Sequence, residues 1–167
     1  VGIGETGLDF YYEHSPREDQ EQSFRTHIAA ARETGLPLIV HSRGADQETV
    51  DILADEMAKG PFRGVIHCFS TGKTLAEGAM NLGFYVSVAG IVTFKNAEEL
   101  RSTVTDLPLN RLLVETDAPF LAPFLFGSLP IKICHNHLRW GLSAITWLFS
   151  RTNLHRYAGR FSKRGYF

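Results

Sequence analysis

The chain has 167 residues, 17 of them basic and 18 acidic, which is the length of one ordinary domain able to bury most of its apolar surface in a single core. A formal net charge of -1 excludes a general electrostatic case for nucleic acid or membrane binding, so any such partner must be met by a local site. Cys68 and Cys134, far apart and without CxxC spacing, exclude a zinc knuckle and a disulfide-stapled secreted scaffold, and a reducing cytoplasm is the expected setting.

The opening, VGIGETGLDF, has neither a basic leader nor an apolar run long enough for a signal or a membrane span. It starts inside a strand and without methionine, so a chain cut from something larger is expected. Residues 1–4 read as a strand end, and residues 5–14 as a functional loop loaded with acid and aromatic side chains. Ser15-Pro16-Arg17-Glu18 is the pattern of a capping box with proline at the first helical position. The helix should run to Gly35 with Phe24, Ile28 and Ala31 as its apolar stripe. A strand over residues 37–40 ends at His41, and a helix follows with Val50, Leu53, Ala54 and Met57 on one face, closed by Gly60-Pro61. Val65-Ile66 leads into His67; the next helix passes through Leu75, Ala79 and Leu82 to Gly83. Residues 84–88 form a strand, Asn96 caps a short helix that stops before Pro108, and residues 111–115 form the last clear strand.

Strands alternating with helices over short links predict right-handed crossovers and a parallel sheet, either open and doubly wound or closed into a barrel. No glycine-rich phosphate loop opens any helix, which weakens the nucleotide-binding version of the open sheet. Four apolar runs end at a side chain able to bind a metal: Glu5, His41, His67 and Asp117. For four separate strand ends to meet they must converge around one axis, as they do at the C-terminal face of a barrel. A full eightfold barrel takes roughly 250 residues, whereas five strands are legible here. The expected architecture is therefore α/β, a partial TIM (β/α)8 barrel.

Two histidines and two carboxylates make a mixed nitrogen and oxygen donor set suited to Mg²⁺, Mn²⁺ or Zn²⁺. Hydrolysis is the natural use, since a bound metal makes hydroxide available near neutral pH and a metal pair stabilises both the entering and the departing oxygen of a phosphodiester. Asp117 would take the proton as general base. Arg43 is a candidate contact for a substrate phosphate, or else a solvated charge at a helix start. Ser42 and Ser70 are candidate hydrogen-bond donors to substrate. Asp9 either orients a ligand or simply shapes a turn. Cys68 reads as a small buried packer, and His14 and His27 as exposed.

The runs GETGLD, IVHSR, VIHCFS with Gly72 shortly after, and LLVETDAPFLAP resemble the motif set of the TatD-type metal-dependent deoxyribonucleases, a branch of the amidohydrolase-like barrels. The resemblance covers residues 1–123 and rests on four motifs in the right order. It implies a barrel whose first strand carries a His-x-His pair, and two divalent ions with Glu5 shared between them. His41 and His67 would lie on one ion and Asp117 on the other, which makes Glu5 as well as Asp117 catalytic. This sequence would correspond to strands four to eight, with the His-x-His strand upstream.

Residues 124–167 hold seven basic residues and no acidic one, whereas residues 1–123 hold all 18 acids and 10 bases. Nothing in this stretch aligns with the basic loop and closing helix that the family resemblance implies. A frameshift would produce such a break, and the tail is expected to pack loosely outside the barrel domain. The rival reading is a basic arm on a nucleic acid backbone, with Arg139, Arg151, Arg156, Arg160, Lys163 and Arg164 interleaved among Trp140, Trp147, Tyr157 and Phe161. Cys134-His135-Asn136-His137 imitates the His-x-His strand, but the composition around it fits no barrel strand. Three function classes follow. The first is a metal-dependent phosphodiesterase on DNA, with RNA open as substrate, acting as a 3'-5' exonuclease. The second is an amide or ester hydrolase such as a deacylase, and the third a non-catalytic truncated product. Neither a membrane nor an obligate protein partner is expected, and a chain lacking the His-x-His strand is expected to be impaired in turnover.

Overall fold

The structure is a computed structural model that describes residues 1–117 and 120–121. Its residues fall into two units, Val1–Ala89 with Glu98–Glu115, and Gly90–Ala97 with the residues from Thr116 onward. The first unit contains β1 (Ile3–Asp9), α1 (Arg17–Thr34), β2 (Leu38–Arg43), α2 (Asp46–Lys59), β3 (Gly64–Ile66), α3 (Lys73–Asn81), β4 (Tyr85–Val88), α4 (Glu98–Asp106) and β5 (Leu112–Val114). All neighbouring strands pair parallel, in the order β1-β2-β3-β4-β5. A doubly wound sheet reverses its strand order at a switch point; this one advances by one strand at every crossover, as a barrel wall does. The second unit contributes a 3-10 turn at Gly90–Thr93.

Alternation along the strands assigns one face to a helix layer. Leu8, Leu38, Val40, Ile66 and Val86 lie on it at no more than 1 % exposure, against Phe24 and Ile28 of α1, Leu53 of α2 and Leu75 of α3, which are equally enclosed. The stripe expected on α1 is the buried one, Phe24, Ile28 and Ala31. The helix ends where glycine permits a left-handed residue: Gly35 has φ 70° and its N–H donates to the carbonyl of Ala31.

The start of α1 departs from expectation. Pro16 occupies the cap position and no side chain caps the helix, so the capping box does not form. Gln20 does the ordering instead. Its Nε2 donates to the carbonyl oxygens of Ser15 at 2.9 Å and Asp9 at 3.2 Å, while its Oε1 accepts the Asp9 N–H at 2.8 Å. The buried face of α2 is also rotated from the expected one: Thr49, Ile52, Leu53 and Glu56 are buried, and Ala54 is exposed. Polar partners cause the rotation, for Thr49 shares a 3.0 Å hydrogen bond with Ser42 and Glu56 gathers three cations. Val50 turns toward α3, where a Cβ at Gly78 would stand 2.4 Å from Val50 Cγ2.

Glu56 accepts from Arg25 Nη1 at 2.8 Å, Arg32 Nη2 at 3.1 Å and Lys59 Nζ at 2.8 Å, with 7 % of its side chain exposed. The Lys59 hydrogen bond is the largest influence, and with Arg25 and Arg32 it outweighs burial to bring the Glu56 carboxyl from 4.5 down to about 2. A carboxylate whose folded pKa is depressed stabilises the fold above its unfolded pKa and loses that contribution as pH falls through the folded value. Glu56→Gln should therefore cost on the order of 2–3 kcal/mol near neutral pH, where the three partly exposed cations lose the buried anion they share. It should also flatten the fall in stability between pH 4.5 and about 2. Urea titrations across that range check both points, and an unchanged pH profile in the variant would contradict the assignment.

Candidate metal centre

The sheet face opposite the helices carries the chemistry. On it, by alternation, lie Glu5, Gly7 and Asp9 of β1, Ile39 and His41 of β2, Val65 of β3 and Tyr85 of β4. His41 pairs in register with Gly7. His67 follows the Val40–Ile66 pair, with its N–H donating to Val40 O at 2.8 Å, so the two histidines stand at the same height on neighbouring strands. Both are at the C-terminal edge of the parallel sheet.

Each histidine has a carboxylate. Glu5 Oε1 is 3.0 Å from His41 Nδ1, and Asp9 Oδ2 is 3.5 Å from His41 Nε2. Glu5 reaches that position across a register shift between Ile3 and Thr6 that inserts one extra residue into β1, the device by which a bulge re-aims a side chain. Glu115, just beyond β5, accepts from His67 Nδ1 through Oε2 at 2.8 Å and from the Cys68 N–H through Oε1. Its own N–H donates to Val88 O at 3.1 Å, so β4 positions a residue that serves β3. Beside Glu5, Asp9 and His41 is an open hollow of about 620 Å³ that also touches Gln20 and Ser23 of α1.

Asp9 combines the two roles weighed for it. Oδ1 accepts the N–H groups of Tyr11 at 3.0 Å and Tyr12 at 2.9 Å, which shapes the turn, while Oδ2 faces His41. Burial on its own would raise the Asp9 pKa, but the Tyr12 and Tyr11 N–H groups, with His41, outweigh it and hold the carboxyl below its usual range.

The other sequence candidates are distributed differently. Ser42 is on the wrong face: it is 8 % exposed and bonds Thr49 in the helix layer, which removes it as a substrate contact. Ser70 is exposed in the loop after β3. Arg43 places its guanidinium over the rings of Tyr11 at 4.6 Å and Tyr12 at 4.5 Å. Cys68 is half-buried, not buried as expected, and takes φ 45° at the strand end. His14 is exposed, whereas His27 is half-buried with Nδ1 2.8 Å from Ser23 O. Asp117 belongs to the second unit, where its carbonyl accepts the Phe120 N–H at 2.8 Å. The His135 and His137 pair and the basic tail lie outside the described residues, as does the expectation that the tail packs loosely.

The residues fit a divalent ion in donor type but not in number. Among the described residues no group of three His, Cys, Asp or Glu is arranged to hold one; Glu5 and Asp9 contact His41 at its two separate nitrogens, and Glu115 contacts His67. Glu115 and Gln20 are the members of this region that sequence reasoning missed. The signal for Glu115 was its place two residues before Asp117 in the same strand-end motif. Gln20 gave none, because a glutamine on an exposed helix turn is unremarkable in composition.

Among known protein families, the one described as TatD related DNase matches residues 1–139. The chain belongs to this family. The match runs past Pro123, into the stretch whose charged residues are all basic. Within the TatD-related proteins, the chain is 49 % identical over 123 residues to the uncharacterized metal-dependent hydrolase YcfH of Escherichia coli, covering 74 % of this chain and 46 % of that one. It is 36 % identical to the 3'-5' ssDNA/RNA exonuclease TatD of Pectobacterium atrosepticum, covering 74 % and 47 %. The crystal structure of YJJV, a TatD homolog from Escherichia coli, superposes with a TM-score of 0.67 at 32 % identity over 74 % of this chain and 47 % of that one. The chain spans about half the length of the curated relatives it matches. The five parallel strands with their helices are thus part of a TatD-type barrel.

Proposed function

We propose that this chain forms part of the active site of a metal-dependent hydrolase that cleaves phosphodiester bonds in DNA, with RNA as a second substrate class. The observation that carries the reading is the placement of His41 and His67 at one height on neighbouring strands, on one face, each met by a carboxylate at the C-terminal sheet edge. The exonuclease named among the relatives supports the phosphodiester and the 3'-5' direction. The relatives named as metal-dependent hydrolases support the divalent ion, for which we propose two positions drawing on Glu5, His41, His67 and Asp117. A bound divalent ion supplies a water acidic enough to attack near neutral pH.

The roles of the chain's own residues follow from geometry and sequence order. Glu115 holds His67 by Nδ1, so that the Nε2 lone pair is the one presented outward. Glu5 and Asp9 stand beside the two nitrogens of the His41 ring, 3.0 Å from Nδ1 and 3.5 Å from Nε2, so that an ion bound at either nitrogen would meet a carboxylate oxygen as well. Asp117, on the segment leaving β5, takes the proton. No helix among the described residues is long and apolar enough to cross a membrane, and we place the reaction in the cytoplasm.

The test is cleavage of end-labelled single- and double-stranded DNA and RNA with Mg²⁺, Mn²⁺ or Zn²⁺. It compares this chain, a version lengthened at both ends by its own genomic sequence, and the lengthened Asp117→Asn protein. Metal-dependent release from the 3' end by the lengthened protein is expected, with less from this chain and a loss of at least about a hundredfold in Asp117→Asn, the usual scale for removing a positioned acid or base. Hydrolysis of amide substrates but not of DNA would replace the nuclease reading with a deacylase, and full activity in Asp117→Asn would remove Asp117 from it.

A further inference from the structure

The loop between β1 and α1, together with Arg43 at the end of β2, brings four planar groups into contact. Tyr11 and Tyr12 meet edge to face with ring centroids 4.9 Å apart, Tyr12 and His14 stack at 5.5 Å and 11°, and the Arg43 guanidinium covers both tyrosines. Aromatic side chains normally bury their area, yet Tyr11 is 67 % exposed and Tyr12 53 % exposed. The loop is nevertheless firmly built. Asp9 Oδ1 binds the N–H of each tyrosine, Phe10 N–H donates to Arg43 O at 2.9 Å, and Glu13 is engaged by Arg17 at 2.6 Å. The carboxylate that orders the rings is also the one 3.5 Å from His41 Nε2, so this planar cluster stands one residue away from the candidate metal centre. Ordered, exposed rings with an arginine among them match how proteins hold unpaired bases, each base adding a further layer to the stack regardless of its identity.

We propose that Tyr11, Tyr12, His14 and Arg43 form a stacking platform for unpaired bases of a single-stranded nucleic acid whose backbone enters the site at His41. The proposal rests on the hydrolase reading for its substrate class. It assigns Arg43 to base stacking and not to the phosphate contact expected from sequence, and it favours single strands because a base inside a duplex has no open face to offer.

The test uses this chain in EDTA, so that binding is read without cleavage. Fluorescence anisotropy compares a labelled oligothymidylate with an abasic oligonucleotide of the same length, which keeps the phosphates and lacks the rings. The oligothymidylate should bind about tenfold more tightly, the order that base stacking supplies, and the preference should persist at high salt. It should vanish in Tyr11→Ala/Tyr12→Ala and survive in Tyr11→Phe/Tyr12→Phe, with circular dichroism reporting whether each pair folds; if the alanine pair does not fold, the comparison of the two oligonucleotides by the unaltered chain decides alone. Equal binding of the two oligonucleotides, no binding of either, or a preference retained by a folded alanine pair would overturn the platform. Hydrolysis of bis(p-nitrophenyl) phosphate, which has no base, is followed in parallel with Mn²⁺ and without EDTA, on the version lengthened at both ends. Hydrolysis without base preference refutes the platform and leaves the hydrolase reading standing, whereas base preference without any hydrolysis does the reverse.

Discussion

Gly7→Ala should abolish the native pairing of β1 with β2. Gly7 sits at φ 143°, a region that only glycine occupies without strain, and a Cβ there would lie 1.9 Å from the carbonyl oxygen of His41 and 2.9 Å from its carbon. Backbone strain of that kind costs about 1–3 kcal/mol, and the collision is with main chain that no rotamer change can relieve. The sum reaches the exceptional range above about 4 kcal/mol, a large part of a typical domain's total stability of about 5–15 kcal/mol. Because the clash falls on His41, the strand that presents the histidine would be displaced together with Glu5 and Asp9. Gly35→Ala is the matched control: φ is 70° and nothing lies within 4 Å, so only the left-handed penalty of about 1–2 kcal/mol applies. Urea unfolding of both variants checks the contrast, and equal losses in the two would refute the close approach of Gly7 to β2.

Glu115→Gln should weaken divalent metal binding and hydrolysis by roughly 10- to 100-fold while leaving the fold in place, the scale found when a partner of a metal-bound histidine is removed. Glu115 accepts two hydrogen bonds from two donors, His67 Nδ1–H and the Cys68 N–H. A glutamine offers one oxygen and one NH₂, so in either orientation a donor is set against a donor. His67 would then lose the hydrogen bond that selects its tautomer, or the strand end at Cys68 would lose the one that supports its φ of 45°. Calorimetric titration with Mn²⁺ measures the affinity, and nitrogen-15 shifts of the His67 ring report the tautomer in the metal-free protein. An unchanged tautomer with unchanged affinity would show that the carboxylate does not act through His67.

Local pattern alone determined much of this protein. Apolar runs of strand length separated by helix-period stripes predicted the parallel α/β wall, because alternation and the 3.6-residue repeat are written into the residues that each element buries. The stripe on α1 and the place of His67 just after β3 were legible for that reason, whereas β1 runs on to Asp9 and β2 to Arg43, so that Glu5 lies within a strand and not in the loop expected over residues 5–14. The misplacement of Ser42 was legible too, since adjacent residues on a strand face opposite sides and His41 and Ser42 cannot both look into one site. What only the tertiary structure decided involves partners distant in sequence. Glu115 meets His67 48 residues away across an intervening strand, and the face of α2 turns because Arg25 and Arg32 of α1 draw Glu56 inward. Gln20 takes over the ordering of Asp9 from eleven residues away, where the local capping pattern had pointed to Ser15. Hydrogen bonds of this kind depend on where whole elements are packed, and a reading of neighbouring residues has no access to that distance.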